Sequence, residues 1–279
     1  MRGAFELIGE YVKKMAHIIA VAGKGGVGKT VISALLLRLL VEDEDIRRDG
    51  VLVIDADPAV SLPFALGLEV KKTIGDIREE IAEPSGIIFD ERMPIDMLLE
   101  YKIDEIMVKR PYFSLIAMGR PEGVGCYCLV NDMLRHFISK LSSRFGTILI
   151  DCEAGLEHLS RRTTQDVDTM LVVSDFTKRG FKTAAEIKRI AESLHIEFKR
   201  ILLVLNKVPP SETVDFDEIE RLTGMPVAGV VPEDEIVSRF DREGKPIFLI
   251  PEESKAFQAV RKIFNLVRQN AVSQDTQLR

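Results

Sequence analysis

Short apolar runs rich in β-branched residues recur along the chain at 17–22, 51–55, 112–118, 147–151, 169–174, 200–206 and 227–231. Several are almost wholly apolar instead of alternating, which marks strands buried on both faces of a parallel sheet. Between them lie stretches with helical spacing at 29–41, 129–142, 178–194, 217–223 and 253–267. Strand and helix therefore alternate. Right-handed crossovers turn that order into a three-layer α/β domain, a mostly parallel sheet flanked by helices. The stretch 71–110 is poorly periodic; it predicts a helix at 74–82 and leaves strand or helix open at 103–108. No repeat, low-complexity linker or composition break divides the chain. One domain over 15–269 is expected, with an N-terminal extension at 1–14 and a polar tail at 270–279.

Composition narrows the class without changing this picture. The 279 residues are 46% apolar and 29% charged, which suits a packed water-soluble domain and excludes a disordered, collagen-like or disulfide-stapled chain. Basic residues number 38 against 44 acidic, a net charge of −6, which disfavours nucleic acid as the main ligand. The apolar run 15–22 is too short to span a bilayer and is followed by Gly23 and Lys24 instead of a small-residue cleavage site. A cytoplasmic protein without a membrane partner is expected. In a reducing compartment Cys126, Cys128 and Cys152 should be thiols or metal ligands, and Cys152, in a buried strand, a small core residue.

The strongest chemical signal is Gly23-Lys24-Gly25-Gly26-Val27-Gly28-Lys29-Thr30, placed between an apolar strand and a helix. Its glycines let backbone N–H groups turn inward on phosphates while the helix N-terminus adds partial positive charge. Lys29 then neutralises the β and γ phosphates of ATP, and the Thr30 hydroxyl ligates Mg²⁺. An ordinary phosphate loop has no need of Lys24. Flanked by glycine, that lysine can reach a phosphate held by another subunit, a finger acting in trans.

Two strands end in acids, Asp57 after 51–55 and Asp151 after 147–150, and ligands of open parallel sheets bind at those carboxyl ends. Asp151 is the candidate magnesium-side carboxylate. Asp57 is the candidate for orienting and deprotonating the attacking water. Asn206 closes the strand before Lys207, and its amide has the geometry to pair with both edge atoms of adenine.

The segment Lys24 to Thr30 reads Lys-Gly-Gly-x-Gly-Lys-Thr and resembles the deviant Walker A ATPases, which include positioning and partition proteins, the nitrogenase iron protein and metal-insertion ATPases. The resemblance implies a face-to-face homodimer in which the first lysine contacts nucleotide across the interface. It also implies an Asp-Pro first switch at Asp57, a second switch of Asp151 followed by Gly155, and base contacts from Asn206, Lys207, Pro232 and Glu233.

A second segment, Gly119-Arg120-Pro121-Glu122-Gly123-Val124-Gly125-Cys126-Tyr127-Cys128, places two thiols on a glycine-hinged loop between a strand and a helix. Two thiolates are half of a four-sulfur shell, and a twofold axis would supply the rest. With Asp151-x-Glu-Ala-Gly-x-Glu-His, this segment is similar to the CooC-type ATPases, which insert nickel into carbon monoxide dehydrogenase. That likeness implies Cys126 and Cys128 as metal ligands, a dimer favoured by nucleotide and metal, and an apo carbon monoxide dehydrogenase as partner. Four thiolates in a tetrahedron suit Zn²⁺, whereas Ni²⁺ often prefers a planar set, so both ions stay open.

Two alternatives stand beside it. An iron–sulfur electron-transfer ATPase like the nitrogenase iron protein needs a second cysteine where this chain has His158. A MinD/ParA-like positioning ATPase needs a membrane or DNA surface, for which the helix at 253–267 is the candidate. Its spacing is commoner in a helix packed on its own sheet.

Overall fold

The structure is a computed structural model that describes residues 16–82, 95–120, 127–153, 167–193 and 198–275. Its strands are β1 (His17–Gly23), β2 (Val51–Ala56), β3 (Val108–Lys109), β4 (Ser114–Ala117), β5 (Thr147–Cys152), β6 (Val167–Asp175), β7 (Phe198–Val208) and β8 (Val227–Pro232). Among the described residues they form one sheet in the order β3-β4-β2-β5-β1-β6-β7-β8. Neighbours are parallel except the edge pair β3 and β4. Every residue of β2 and β5 is buried, as unbroken apolar runs require of central strands covered on both sides.

The helices are α1 (Lys29–Glu42), α2 (Glu44–Arg48), α3 (Ser61–Leu66), α4 (Ile74–Ala82), α5 (Ile95–Ile106), α6 (Tyr127–Leu141), α7 (Lys178–Ser193), α8 (Phe216–Thr223), α9 (Glu235–Arg242) and α10 (Lys255–Asp275). They divide between two cores. On one face Ile54, Ile148 and Ile150 pack with Ile74, Phe137 and Phe181 from α4, α6 and α7. On the other Val21, Val53 and Leu149 pack with Leu36, Phe257, Val260 and Ile263 from α1 and α10. Helix α1 is apolar nearly all round because it is enclosed by the sheet and its neighbouring helices.

The three-layer expectation therefore holds, with differences of detail. The open choice at 103–108 resolves into both forms, since α5 ends at Ile106 and β3 hairpins onto β4 from Val108. Short α2, α3 and α9 were not legible from periodicity. Helices α2 and α9 begin instead on aspartate caps, Asp43 and Asp234. Helix α10 runs to Asp275, beyond the expected end at 267. Its residues Phe257, Val260, Ile263, Phe264 and Val267 are buried on the sheet. No helix among the described residues is long and apolar enough to cross a membrane.

Register then decides what shares the carboxyl edge. Asp55 lies beside Asp151, and Asp151 beside Val21, on neighbouring parallel strands. Gly23 lies beside Val173, and Asp175 beside Asn206. Strand ends carrying the phosphate loop, both acids and Asn206 thus converge at one place.

Candidate functional site

The loop from Gly23 to Thr30 leaves β1 and enters α1 under tight steric control. A Cβ on Gly23, whose φ is +153°, would sit 2.4 Å from the Val173 carbonyl oxygen. One on Gly28, at φ +93°, would meet the Asn206 amide nitrogen at 2.3 Å. Only glycine fits either position. Helices α2, α8 and α9 begin on an aspartate that caps their free N–H groups, but α1 begins on Gly28 with no side-chain cap. Its first-turn donors are therefore left for an anion. The Lys29 ammonium is buried at this end and donates to the Lys24 carbonyl at 3.2 Å. Lys24 is half-buried, and its own ammonium bonds to no described residue.

Asn206 and Lys207 brace the loop from β7. Asn206 Nδ2 donates to the Val27 carbonyl at 2.8 Å, and Lys207 Nζ to the Gly26 carbonyl at 2.9 Å. That bond uses one N–H of the amide and leaves its second N–H and its carbonyl oxygen available to a base. Pro232 ends β8 beside Val208, and the Glu233 N–H donates to the Val208 carbonyl at 3.0 Å, so this turn adjoins Lys207.

Asp151 is 1% exposed at the end of β5. Ser33 Oγ donates to its Oδ1 at 3.0 Å, while Oδ2 has no hydrogen-bond partner. Burial pushes its pKa up to about 6 against the pull of the Thr30 and Ser33 hydroxyls and the Lys29 charge. An orphaned carboxylate oxygen beside the Thr30 hydroxyl fits a hard divalent cation such as Mg²⁺, which prefers oxygen ligands. Ser33 escaped the sequence reading, although it lies three residues beyond Thr30 on one face of α1, where such pairs meet.

Asp55 is the second residue that escaped. It is fully buried and accepts from the Asp57 N–H at 3.0 Å and the Leu62 N–H at 2.9 Å, tying the loop that carries Asp57 to α3. Burial first, then repulsion from Asp151, pushes its pKa up to about 7. Asp57 is held half-buried on that loop, with Oδ1 accepting from the Ala59 N–H at 2.8 Å. The structure thus gathers the phosphate loop, Asp57, Asp151, Asn206 and Lys207 at one edge.

The cysteine segment begins there too, since the Met118 N–H donates to the Asp55 carbonyl at 2.8 Å. Cys126 lies outside the described residues and Cys128 falls in the first turn of α6. Among the described residues no three His, Cys, Asp or Glu side chains gather as a metal site. Cys152 is fully buried in the core opposite Asp151, where burial and the Asp151 charge push its thiol up.

The model of the CobQ/CobB/MinD/ParA nucleotide-binding domain matches residues 18–247. The chain belongs to that family. It is accordingly a P-loop ATPase. It is 44% identical over 250 residues to an uncharacterized ATP-binding protein of Methanocaldococcus jannaschii, covering 88% of this chain and 96% of that one. It is 35% identical over 243 residues to the carbon monoxide dehydrogenase accessory protein CooC of Rhodospirillum rubrum, covering 81% and 87%. Among solved structures it is similar in fold to the septum site-determining protein MinD of Pyrococcus horikoshii complexed with Mg-ADP. That match has a TM-score of 0.68 at 21% identity, over 92% of this chain and 98% of that one.

Proposed function

We propose that this ATPase is a homodimeric metallochaperone that assists nickel insertion into apo carbon monoxide dehydrogenase. The observation that carries this reading is the 35% identity to CooC over 81% of the chain. The sequence of the segment Gly119 to Cys128, with its Cys-x-Cys pair, adds support.

In this reading the uncapped first turn of α1 and the Lys29 ammonium bind the β and γ phosphates, with Lys29 exchanging the Lys24 carbonyl for phosphate oxygen. Thr30 and Asp151 would hold Mg²⁺, which when bound supplies charge that stabilises the leaving phosphate. Asp57 accepts the proton of the attacking water, and the Asp55 carboxylate fixes the backbone from which Asp57 projects. Lys24 from the facing copy supplies the last positive charge.

The metal ion is cargo. Cys126 and Cys128 from each of two copies make a four-sulfur site on the dimer axis, closed or opened as Asp57 and Asp151 register the γ phosphate. Metal analysis of the purified dimer, with sizing in ATP and ADP, tests this. One ion per dimer, lost on replacing Cys126 and Cys128 by serine, is expected. One ion per monomer, or retention after replacement, would overturn it.

A further inference from the structure

Helix α7 treats its charges in two ways. In its second half the cations are paired along the helix, Lys188 with Glu192 at 2.9 Å and Arg189 with Glu186 at 2.5 Å. Its first turn carries Lys178 and Arg179, with Lys182 one turn on. All three are exposed, and none forms an ion pair with a described residue.

Each placement breaks a local rule. The positive end of the helix dipole disfavours cations in the first turn, and Asp175, the acid packed against this turn, is a single charge against three. Lys178 and Lys182 stand four residues apart, where like charges repel. The cap is otherwise ordinary: Thr177 Oγ1 accepts from the Gly180 N–H at 2.9 Å and donates to Asp175 Oδ1 at 2.6 Å. Helices α2 and α8 follow the rule, opening with Glu44 and Asp45 and with Asp217 and Glu218. Helices α1 and α10 also open on a lysine without a first-turn acid, but one lysine each; α7 crowds three exposed cations onto one surface at that cost, which points to a use outside the chain.

We infer that Lys178, Arg179 and Lys182 form a docking surface for an acidic patch on another protein. The turn follows Asp175, which lies beside Asn206, so the surface flanks the phosphate edge of the sheet. The chain's net charge of −6 repels the dense charge of a DNA duplex, one per about 1.7 Å, more strongly than a sparser row of carboxylates. A local cluster of Asp and Glu on a folded protein meets the cations at short range, where complementarity governs docking. This inference does not depend on nickel or on the identity of the client.

The test uses the full chain, a labelled polyglutamate peptide and a DNA duplex, read by fluorescence anisotropy at low salt. The parent is expected to bind polyglutamate more tightly than DNA, with binding lost as salt rises. The combined Lys178→Gln, Arg179→Gln and Lys182→Gln variant should bind polyglutamate about tenfold more weakly. Its ATP turnover should be unchanged and its melting temperature no lower. A control variant with Arg48→Gln, Lys188→Gln and Lys245→Gln makes the same change in net charge at other sites and should bind as the parent does. Equal loss in the control, undiminished binding in the first variant, no binding by the parent, or a preference for DNA would overturn the proposal. So would a fall in ATP turnover, which would place these cations at a nucleotide instead.

Discussion

Asp151 and Asp168 sit at opposite ends of the same sheet, one beside Val21 of β1 and the other bonded to the Ile18 N–H, and burial acts on both. At the amino end burial would raise the Asp168 pKa, but His17, Lys199 and the Ile18 N–H together hold it well below the usual carboxylate range. At the carboxyl end the compensation is too weak, and Asp151 and Asp55 rise to about 6 and about 7. The two ends hold charge for different purposes. A buried carboxylate with a full set of donors holds strands together, whereas one left with an orphaned oxygen is suited to a ligand.

The largest effect that sharpens this comparison is on hydrolysis. Replacing Asp151 by asparagine should cut ATP turnover about a thousandfold. In nucleotide-free protein the sign of the stability change should be the reverse of the usual one. A carboxylate whose pKa rises on folding stabilises the fold at low pH and loses that contribution as pH climbs from about 4 through about 6. The variant should therefore be more stable than the parent at pH 8, by roughly 3 kcal/mol, from a rise of 3.8 to about 6. Chemical denaturation at pH 5 and pH 8 reads this, and a variant less stable at pH 8 would contradict it.

Lys24→Ala comes next. If Lys24 acts on the transition state and not on ground-state binding, as proposed, turnover should fall about a hundredfold with nucleotide affinity nearly unchanged. A large loss of affinity would place Lys24 in its own subunit's site.

At the amino end the expected effects are on the fold alone. Asp168→Asn should cost roughly 2 kcal/mol at pH 7 and leave turnover per folded molecule intact. Because the Asp168 pKa is depressed, its contribution is complete above about pH 4 and fades as pH falls below that. The variant's stability should accordingly change less than the parent's between pH 5 and pH 2. The smallest effect belongs to Asn206→Ala, which frees the Val27 carbonyl and should weaken nucleotide binding about tenfold. Isothermal titration measures it.

Much of this geometry is legible in sequence because it depends on spacing. The phosphate loop is defined by its glycines and its place between strand and helix, and the central strands by apolar runs that only a doubly covered sheet can bury. What escaped depends on partners distant in the chain. Ser33 matters through a carboxylate 118 residues away, which no local pattern records. Helix α3 spans six residues with Pro63 inside it, too few for a period, and its start is held by the Asp55 carboxylate. Asn206 reads as a candidate adenine contact from its amide chemistry, but its brace on the Val27 carbonyl depends on how closely β7 approaches Gly28, which no local pattern records.

The most direct test mixes two inactive variants, Lys24→Ala and Asp57→Asn. If each copy completes its partner's active site with Lys24, a mixed dimer holds one intact site. An equimolar mixture should then recover about a quarter of the parent's turnover, with each variant alone inactive. A mixture as inactive as its components would contradict the claim that two copies share the chemistry.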